Sequence, residues 1–348
     1  MKRIIKQGMM VITLLFVLAG CGGGSSSGGD NPSPSSGADF SQLISIRVGD
    51  SRLLNVPTYD GSGQVVHPDV IVKNGRFLMT ITPYAFSDLD LENPSFYVSN
   101  DGVNFQPPEG GVNPLVFNPP HGYNDDPDLV FDPISGLYYI YYNETPKNYQ
   151  KQYLDLLQSP DLLNWTHRRL TEFRTSGSDP FIVSPAIVIS GGNYFMFHVE
   201  IDTDNQHSPN TCVRDPHKHQ IRVMISQDGV TWDKRKDEGI DIDMPSDFNP
   251  WHINIVQGNG HFYMLVNGYH RGFCDRHNLY LAVSDDLTHW HFVPQPIVTA
   301  SKDFYNSKII YRSAAVINGD DMYVYFSFYT YDHRWLLGVK HISLNAAV

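Results

Sequence analysis

The sequence predicts an all-β fold, a five-bladed β-propeller of four-stranded antiparallel blades closed by an N-terminal strand. Three observations carry that prediction. The phrase Ser-x-Asp-(Gly/Leu)-x-x-(Trp/Phe) recurs at Ser99 to Phe105, Ser159 to Trp165, Ser226 to Trp232 and Ser284 to Trp290, with start-to-start spacings of 60, 67 and 58 residues. A near-constant period of this size marks a repeat architecture. Upstream lie two further strand-like runs per repeat, and the first of them occurs five times, beginning near His67, Asp126, Ser184, Trp251 and Tyr311. Strand, turn, strand, loop, strand, Ser-Asp turn, strand over about 60 residues has the dimensions of a propeller blade.

Residues 1–21 precede the fold. Lys2, Arg3 and Lys6 form a positive start, Met9 to Leu18 an apolar run too short for a stable membrane span, and Leu18-Ala19-Gly20-Cys21 a small-residue ending. This ending resembles the bacterial lipoprotein box and implies lipidation of Cys21. Since no acidic residue directly follows Cys21, the resemblance implies a lipid-anchored envelope protein, at the outer membrane of a Gram-negative cell. Residues 22–40 are rich in Gly, Ser and Pro and read as a disordered tether. Residues 41–348 form the propeller. The fifth blade lacks the Ser-Asp phrase, so Leu43 to Val56 is expected to pair with the strand in the last 25 residues, leaving no open edge.

The formal charge of −12 gives no basic footprint for nucleic acid or an anionic lipid surface. A monomer whose membrane contact is the lipid anchor alone is expected. Besides Cys21 the chain has Cys212 and Cys274, in loops of neighbouring blades. In an envelope compartment they suit a disulfide, the alternative being two unpaired thiols.

In a propeller the starts of the innermost strands and the loops joining second to third strands share one face, while the Ser-Asp turns lie on the other. That face collects His67 and Asp69, Asp126 and Asp128, Ser184, His252 and Asn254, Arg312 and Ser313. Alternation along a strand directs His67 with Asp69, and Asp126 with Asp128, into the axial funnel. Trp251 offers a stacking platform and His252 a hydrogen-bonding imidazole. Glu92 lies in the loop of the first blade, and Arg312 is placed to hold a carboxylate, either the substrate's or that of Asp126 or Asp69. Converging polar groups at one mouth suit a carbohydrate.

Over roughly residues 60–348 the chain resembles the five-bladed propeller glycoside hydrolases, the family 43 type and its relatives. The resemblance implies an Asp-Pro opening the first blade as general base, an Asp in the second that tunes pKa and orientation, and a Glu in the third as general acid. Here the second blade matches with Asp126-Pro127, whereas the first reads His67-Pro68 and the third Ser184-Pro185. The family mechanism therefore does not transfer unchanged. An inverting hydrolysis needs an acid and a base roughly 6.5–9.5 Å apart. His67 can serve either role near neutral pH, and the neoagarobiose hydrolases offer a similar histidine. Glu200, at the end of the second strand of the third blade, is the substitute acid, with Asp69 and Asp126 completing the catalytic set. Glu144 ends the matching strand of the second blade.

The expected activity is acid/base hydrolysis of a poly- or oligosaccharide, the alternative being a carbohydrate-binding protein that kept the funnel without the chemistry. No cofactor is required by this chemistry. A Ca2+ ion in the axial funnel would be held by His252 or by Asp126 and Asp128. His207, Asp215, His217, His219, His270 and His277 crowd two neighbouring loops without forming a full ligand set.

Overall fold

The computed structural model describes residues 37–175, 179–201, 219–273, 275–302 and 304–347. The leader, most of the tether, Cys212, Cys274, His207, Asp215 and His217 lie outside them. A helical turn α1 (Ser41–Ile44) and strand β1 (Ser51–Leu54) come first, and five sheets follow. Blade 1 is β2 (Val65–Lys73), β3 (Arg76–Pro83) and β4 (Ser95–Ser99); blade 2 is β5 (Gly122–Phe131), β6 (Tyr138–Pro146), β7 (Gln152–Ser159) and β8 (Thr166–Phe173). Blade 3 is β9 (Phe181–Ser190), β10 (Asn193–Ile201), β11 (His219–Ser226) and the two-residue β12 (Glu238–Gly239). A short β13 (Asp241–Ile242) adds in parallel to the outer strand of blade 4, which is β14 (Phe248–Gly258), β15 (His261–His270), β16 (Asn278–Ser284) and β17 (His289–Val298). Blade 5 is β18 (Ser307–Asn318), β19 (Asp321–Thr330) and β20 (Trp335–Ser343).

Blade 1 departs from the expected four strands. Its fourth is reduced to one bridge, Val98 to Gln106, because Pro107 and Pro108 follow and have no N–H for a ladder.

Closure is as the sequence predicts, with narrower bounds. Ser51 to Leu54 pairs antiparallel with Leu337 to Lys340 as the outer strand of blade 5. The preceding residues are helical, and Leu43 and Ile46 instead bury in the seam between blades 5 and 1, beside Val56, Phe77 and Tyr323. Burying an aliphatic side chain is worth about 1.5–3 kcal/mol. Deleting residues 39–56 is therefore expected to lower the melting temperature by more than about 10 °C, whereas deleting 22–38 is not; equal melting of the two truncations in a thermal scan would refute closure.

Both faces of each sheet are buried, which explains strands that are apolar on either side. In β6, Tyr139 and Tyr141 join the seam to blade 3 while Tyr138, Ile140 and Tyr142 join the seam to blade 1. The Ser-Asp turns stitch these seams. Ser226 Oγ accepts from Gly229 N at 3.0 Å, Asp228 Oδ1 accepts from Thr231 N at 2.7 Å, and Tyr141 of the preceding blade donates to Gly229 O at 2.8 Å. Gly229 has φ 69°, and a Cβ there would meet the Tyr194 ring at 2.8 Å, so glycine is required by conformation and by space.

Candidate active site

Each of the five innermost strands carries one extra residue at the same height. The registers slip between Val66 and Asp69, Asp125 and Asp128, Val183 and Ala186, Pro250 and His252, and Ile310 and Ser313. These are β-bulges, which re-aim side chains, and they contain His67, Asp126, Ser184, Trp251 and Arg312. His67, Asp126 and Ser184 have φ of 53°, 53° and 57°, a region that costs a non-glycine residue free energy and clusters at functional sites. The proline after each accommodates the interrupted ladder.

The bulge breaks the alternation expected from the sequence and separates the polar residues into two layers. His67, Asp126, Ser184, His252 and Arg312 form the upper one, all buried. Asp126 is its centre: one oxygen accepts from Arg312 Nη1 at 2.8 Å, the other from Ser184 N at 3.0 Å. His67 Nε2 lies 3.5 Å and His252 Nδ1 3.2 Å from Asp126 Oδ1. His67 Nδ1 meets Thr82 Oγ1 at 2.9 Å, and His252 Nδ1 meets Ser184 Oγ at 2.7 Å. The Arg312 alternatives thus resolve to the internal pair with Asp126.

Asp69 and Asp128, expected in catalytic and substrate-binding roles, belong to the lower layer, where both hold neighbouring blades by hydrogen bonds. Asp69 accepts from Val70 N at 2.9 Å, from Leu129 N of blade 2 and from Asn254 Nδ2 at 3.1 Å. Asp128 accepts from Ile187 N of blade 3 at 2.9 Å. Each carboxylate ties its blade to the next. A cavity of about 290 Å³ opens below this layer, lined by Asp69, Asp128 and Asn254 together with aliphatic side chains including Ile71, Val130 and Val256.

Glu200, expected as the substitute acid, ends β10 in an ion-pair network. Its carboxylate is held at 2.8 Å by Arg222 Nε, which also reaches Asp237, itself paired with His198. The carboxylate that stands beside His67 is Glu92, whose Oε1 is 3.7 Å from His67 Nδ1. The loop bringing it there is fixed by Asn124, which donates its backbone N–H to Glu92 O at 2.9 Å and its side-chain amide to Asn93 Oδ1 at 2.8 Å. Glu144, the counterpart of Glu200, pairs with Arg169 at 2.6 Å.

Environment drives these carboxyl groups apart. Burial, then the charges of Asp125 and Asp126, push Glu92 well above the usual carboxylate range. Burial and the Asp126 charge do the same to Asp125. Burial opposes ionisation of Asp126 too, but the facing His252, His67 and Arg312 outweigh it and hold its carboxyl well below the usual range. Burial lowers both His67 and His252, so both rings favour the neutral form. Pairs of titratable groups pushed apart in this way are the signature of an acid/base site.

Aromatic rings wall the site. Tyr311 lies 4.5 Å from His252 and 5.4 Å from His67, and Trp251 packs at 5.9 Å from His252 and 5.5 Å from His219. Trp251, expected as a stacking platform, thus lies beside the upper layer, packed among His219, His252 and His277. Of the loop histidines, His219 Nδ1 donates to Pro250 O at 2.8 Å, His270 pairs with Asp247, and His277 stacks on Tyr269. Among the described residues, His67, Asp126 and His252 form a group able to hold a metal ion, with ligand atoms within 4.8 Å of one another. Sequence reading passed over Asp125 and Tyr311, although each adjoins a residue it had selected.

Residues 117–310 match the family model described as the glycosyl hydrolases family 32 N-terminal domain. The chain is 24% identical over 310 residues to the A type blood N-acetyl-alpha-D-galactosamine deacetylase of Flavonifractor plautii, the alignment covering 76% of this chain and 40% of that protein. It therefore spans about 40% of the length of the curated relative it matches. Among solved structures, an N-acetylgalactosamine deacetylase from F. plautii in complex with blood group B trisaccharide has a TM-score of 0.70 at 19% identity, covering 86% of this chain and 97% of that one. A thermostable family-43 glycoside hydrolase has a TM-score of 0.57 at 14% identity, covering 80% and 88%. These structural likenesses are likenesses of fold.

Proposed function

Because the chain belongs to the family of the glycosyl hydrolases family 32 N-terminal domain, whose model matches more than half of it, we propose that its funnel hydrolyses a bond of a glycan, and that this bond is the N-acetyl amide of an amino sugar. The observation that carries the reading is the buried group of His67, Asp126 and His252 with Glu92 beside it. Nε2 of both imidazoles is buried and has no hydrogen-bond partner among the described residues. Nδ1 of His67 meets the Thr82 hydroxyl, the outer-shell contact that fixes ring orientation in metal-ligating histidines, whereas Nδ1 of His252 faces both the Ser184 hydroxyl and Asp126 Oδ1.

Two imidazoles and a carboxylate suit zinc or another first-row divalent ion, whereas calcium prefers oxygen ligands throughout. Such an ion, when bound, supplies a Lewis acid to the carbonyl under attack and lowers the pKa of water. The chain's own residues do the rest. Neutral His67 and His252 present nitrogen lone pairs, and Arg312 fixes the Asp126 carboxylate at 2.8 Å. Glu92, raised well above the usual carboxylate range by burial, is placed to give its proton to the departing amine nitrogen as the C–N bond breaks, and to regain one from the water whose oxygen bonds to the carbonyl carbon. Tyr311 and Trp251 provide the apolar wall against which a pyranose ring rests. Similarity to the F. plautii deacetylase supports the choice of bond.

A second reading, cleavage of a glycosidic bond with Glu92 as acid, is favoured by the family itself and by the family-43 likeness. One assay separates the two. The purified protein is incubated with N-acetylated oligosaccharides while acetate and new reducing ends are both measured, with and without chelator. Acetate release that chelation abolishes and Zn2+ or Mn2+ restores is the expected result. New reducing ends insensitive to chelation would replace it with the glycosidase reading, and retained glycans without either product would indicate a binding protein. We place the site outside the cytoplasm on a lipid anchor at Cys21, supported by the lipoprotein-box sequence.

A further inference from the structure

The loop that carries Glu92 also carries an aromatic ring that the site as described does not use. Phe86 is 78% exposed, and it and Ser87 have φ of 53° and 65°. A bulky residue in that region is an outlier, and such strain persists only where the surroundings over-determine it. Here they do. Trp335 Nε1 donates to Ser87 Oγ at 2.9 Å, Trp335 N donates to the buried Gln64 Oε1 at 3.1 Å, and Ser87 N bonds to Tyr84 O at 3.2 Å.

The same tryptophan begins a run of rings leading inward. Trp335 lies 4.9 Å from Tyr311, and Tyr311 lies 4.5 Å from His252; Tyr84 packs on Trp335 at 5.5 Å. The Trp335 hydrogen bonds hold the backbone, and they leave the Phe86 ring open to water on the loop that also carries Glu92, an apolar face available to a ligand. A net charge of −12 disfavours a polyanion, whereas the C–H face of a sugar is neutral and matches a flat apolar ring.

We propose that Phe86 is the platform for a second sugar unit of the glycan whose first unit lies at His67, Asp126 and Glu92, so that oligosaccharides are preferred to monosaccharides. This rests on reading the funnel as a glycan-processing site. The probes are methyl N-acetyl-α-D-galactosaminide and the blood group A trisaccharide, assayed for acetate release with the wild type, Phe86→Ala and Phe86→Tyr. Phe86→Ala is expected to lower the ratio of kcat/KM for the trisaccharide to that for the methyl glycoside by about tenfold, the scale of one lost aromatic contact, mainly through KM. Phe86→Tyr should keep the ratio within about threefold, and the melting temperature should stay that of the wild type. A ratio unchanged in Phe86→Ala overturns the proposal while leaving the site reading standing. If the wild type releases acetate from neither probe, the choice of bond fails, and the subsite is then read from retention on an array of oligosaccharides and their terminal monosaccharides. Selective loss of the oligosaccharide signal in Phe86→Ala supports it there; an unaltered signal, or no glycan retained by the wild type, overturns it.

Discussion

Replacing Asp126 by asparagine is expected to remove at least about 99% of turnover per folded molecule, because acid/base and electrostatic groups at a reaction centre contribute factors of roughly 10² to 10⁴. Asp126 is where four demands meet: it accepts from Ser184 N, pairs with buried Arg312, and faces both His67 and His252. Asparagine is isosteric, so the bond from Ser184 N can persist through its amide oxygen. What it cannot replace is the negative charge, which leaves the fully buried Arg312 guanidinium without its close partner and with only Asp128 at 4.0 Å. Breaking a buried pair from one side costs about 3–5 kcal/mol, so a fall in melting temperature should accompany the loss of activity. The wild type carries the matching pH signature. The folded-state pKa of Asp126 is depressed, so its contribution to stability is present above the unfolded-state value and is lost as pH falls through the folded one. Asp126→Asn should lack that acid-side loss. Urea unfolding at neutral and acid pH, with rates normalised to folded protein, reads both effects. A variant that retains wild-type turnover would place the chemistry elsewhere in the funnel.

The architecture was legible in the sequence because it repeats. The Ser-Asp phrase is local turn chemistry, its Asp capping backbone N–H groups two and three residues on, and a local signal survives without tertiary context. The closing strand was legible by elimination, since a fifth blade short of one strand must find it at the other terminus. The site was legible only in part, and the bulges explain why. Alternation placed His67 with Asp69 and Asp126 with Asp128, but one inserted residue per innermost strand sends the first of each pair to the reactive layer and the second to the seams between blades. X-Pro at His67, Asp126 and Ser184 was the available clue, since proline within a central strand argues for a bulge. Glu200 and Glu92 are distinguished only by what holds them. Glu200 ends strand β10 and Glu92 lies in the loop after β3, and a carboxylate reaching inward cannot be told from one in an ion pair until Arg222 and Asn124 are seen beside them.

Glu92→Gln is expected to slow turnover by about 10²- to 10⁴-fold without the loss of stability predicted for Asp126→Asn, and the contrast follows from opposite pKa shifts. Burial and the neighbouring Asp125 and Asp126 charges raise Glu92. A carboxyl group raised in the folded state contributes stability that is fully present below its unfolded-state pKa and is lost as pH rises through the folded one. The fold disfavours the ionised form that the unfolded chain adopts, so Glu92 costs stability as pH rises above its unfolded-state pKa, and a neutral glutamine of the same shape relieves that cost. The variant should melt no lower than the wild type at pH 8. The pH–rate profile provides the second readout. If the protonated group is the reactive form, wild-type kcat falls as pH rises through the elevated Glu92 pKa, and the residual activity of Glu92→Gln should lose that alkaline limb. Should the limb persist unchanged in the variant, another group titrates there, and Asp125, raised by burial and by the Asp126 charge, is the carboxyl to replace next.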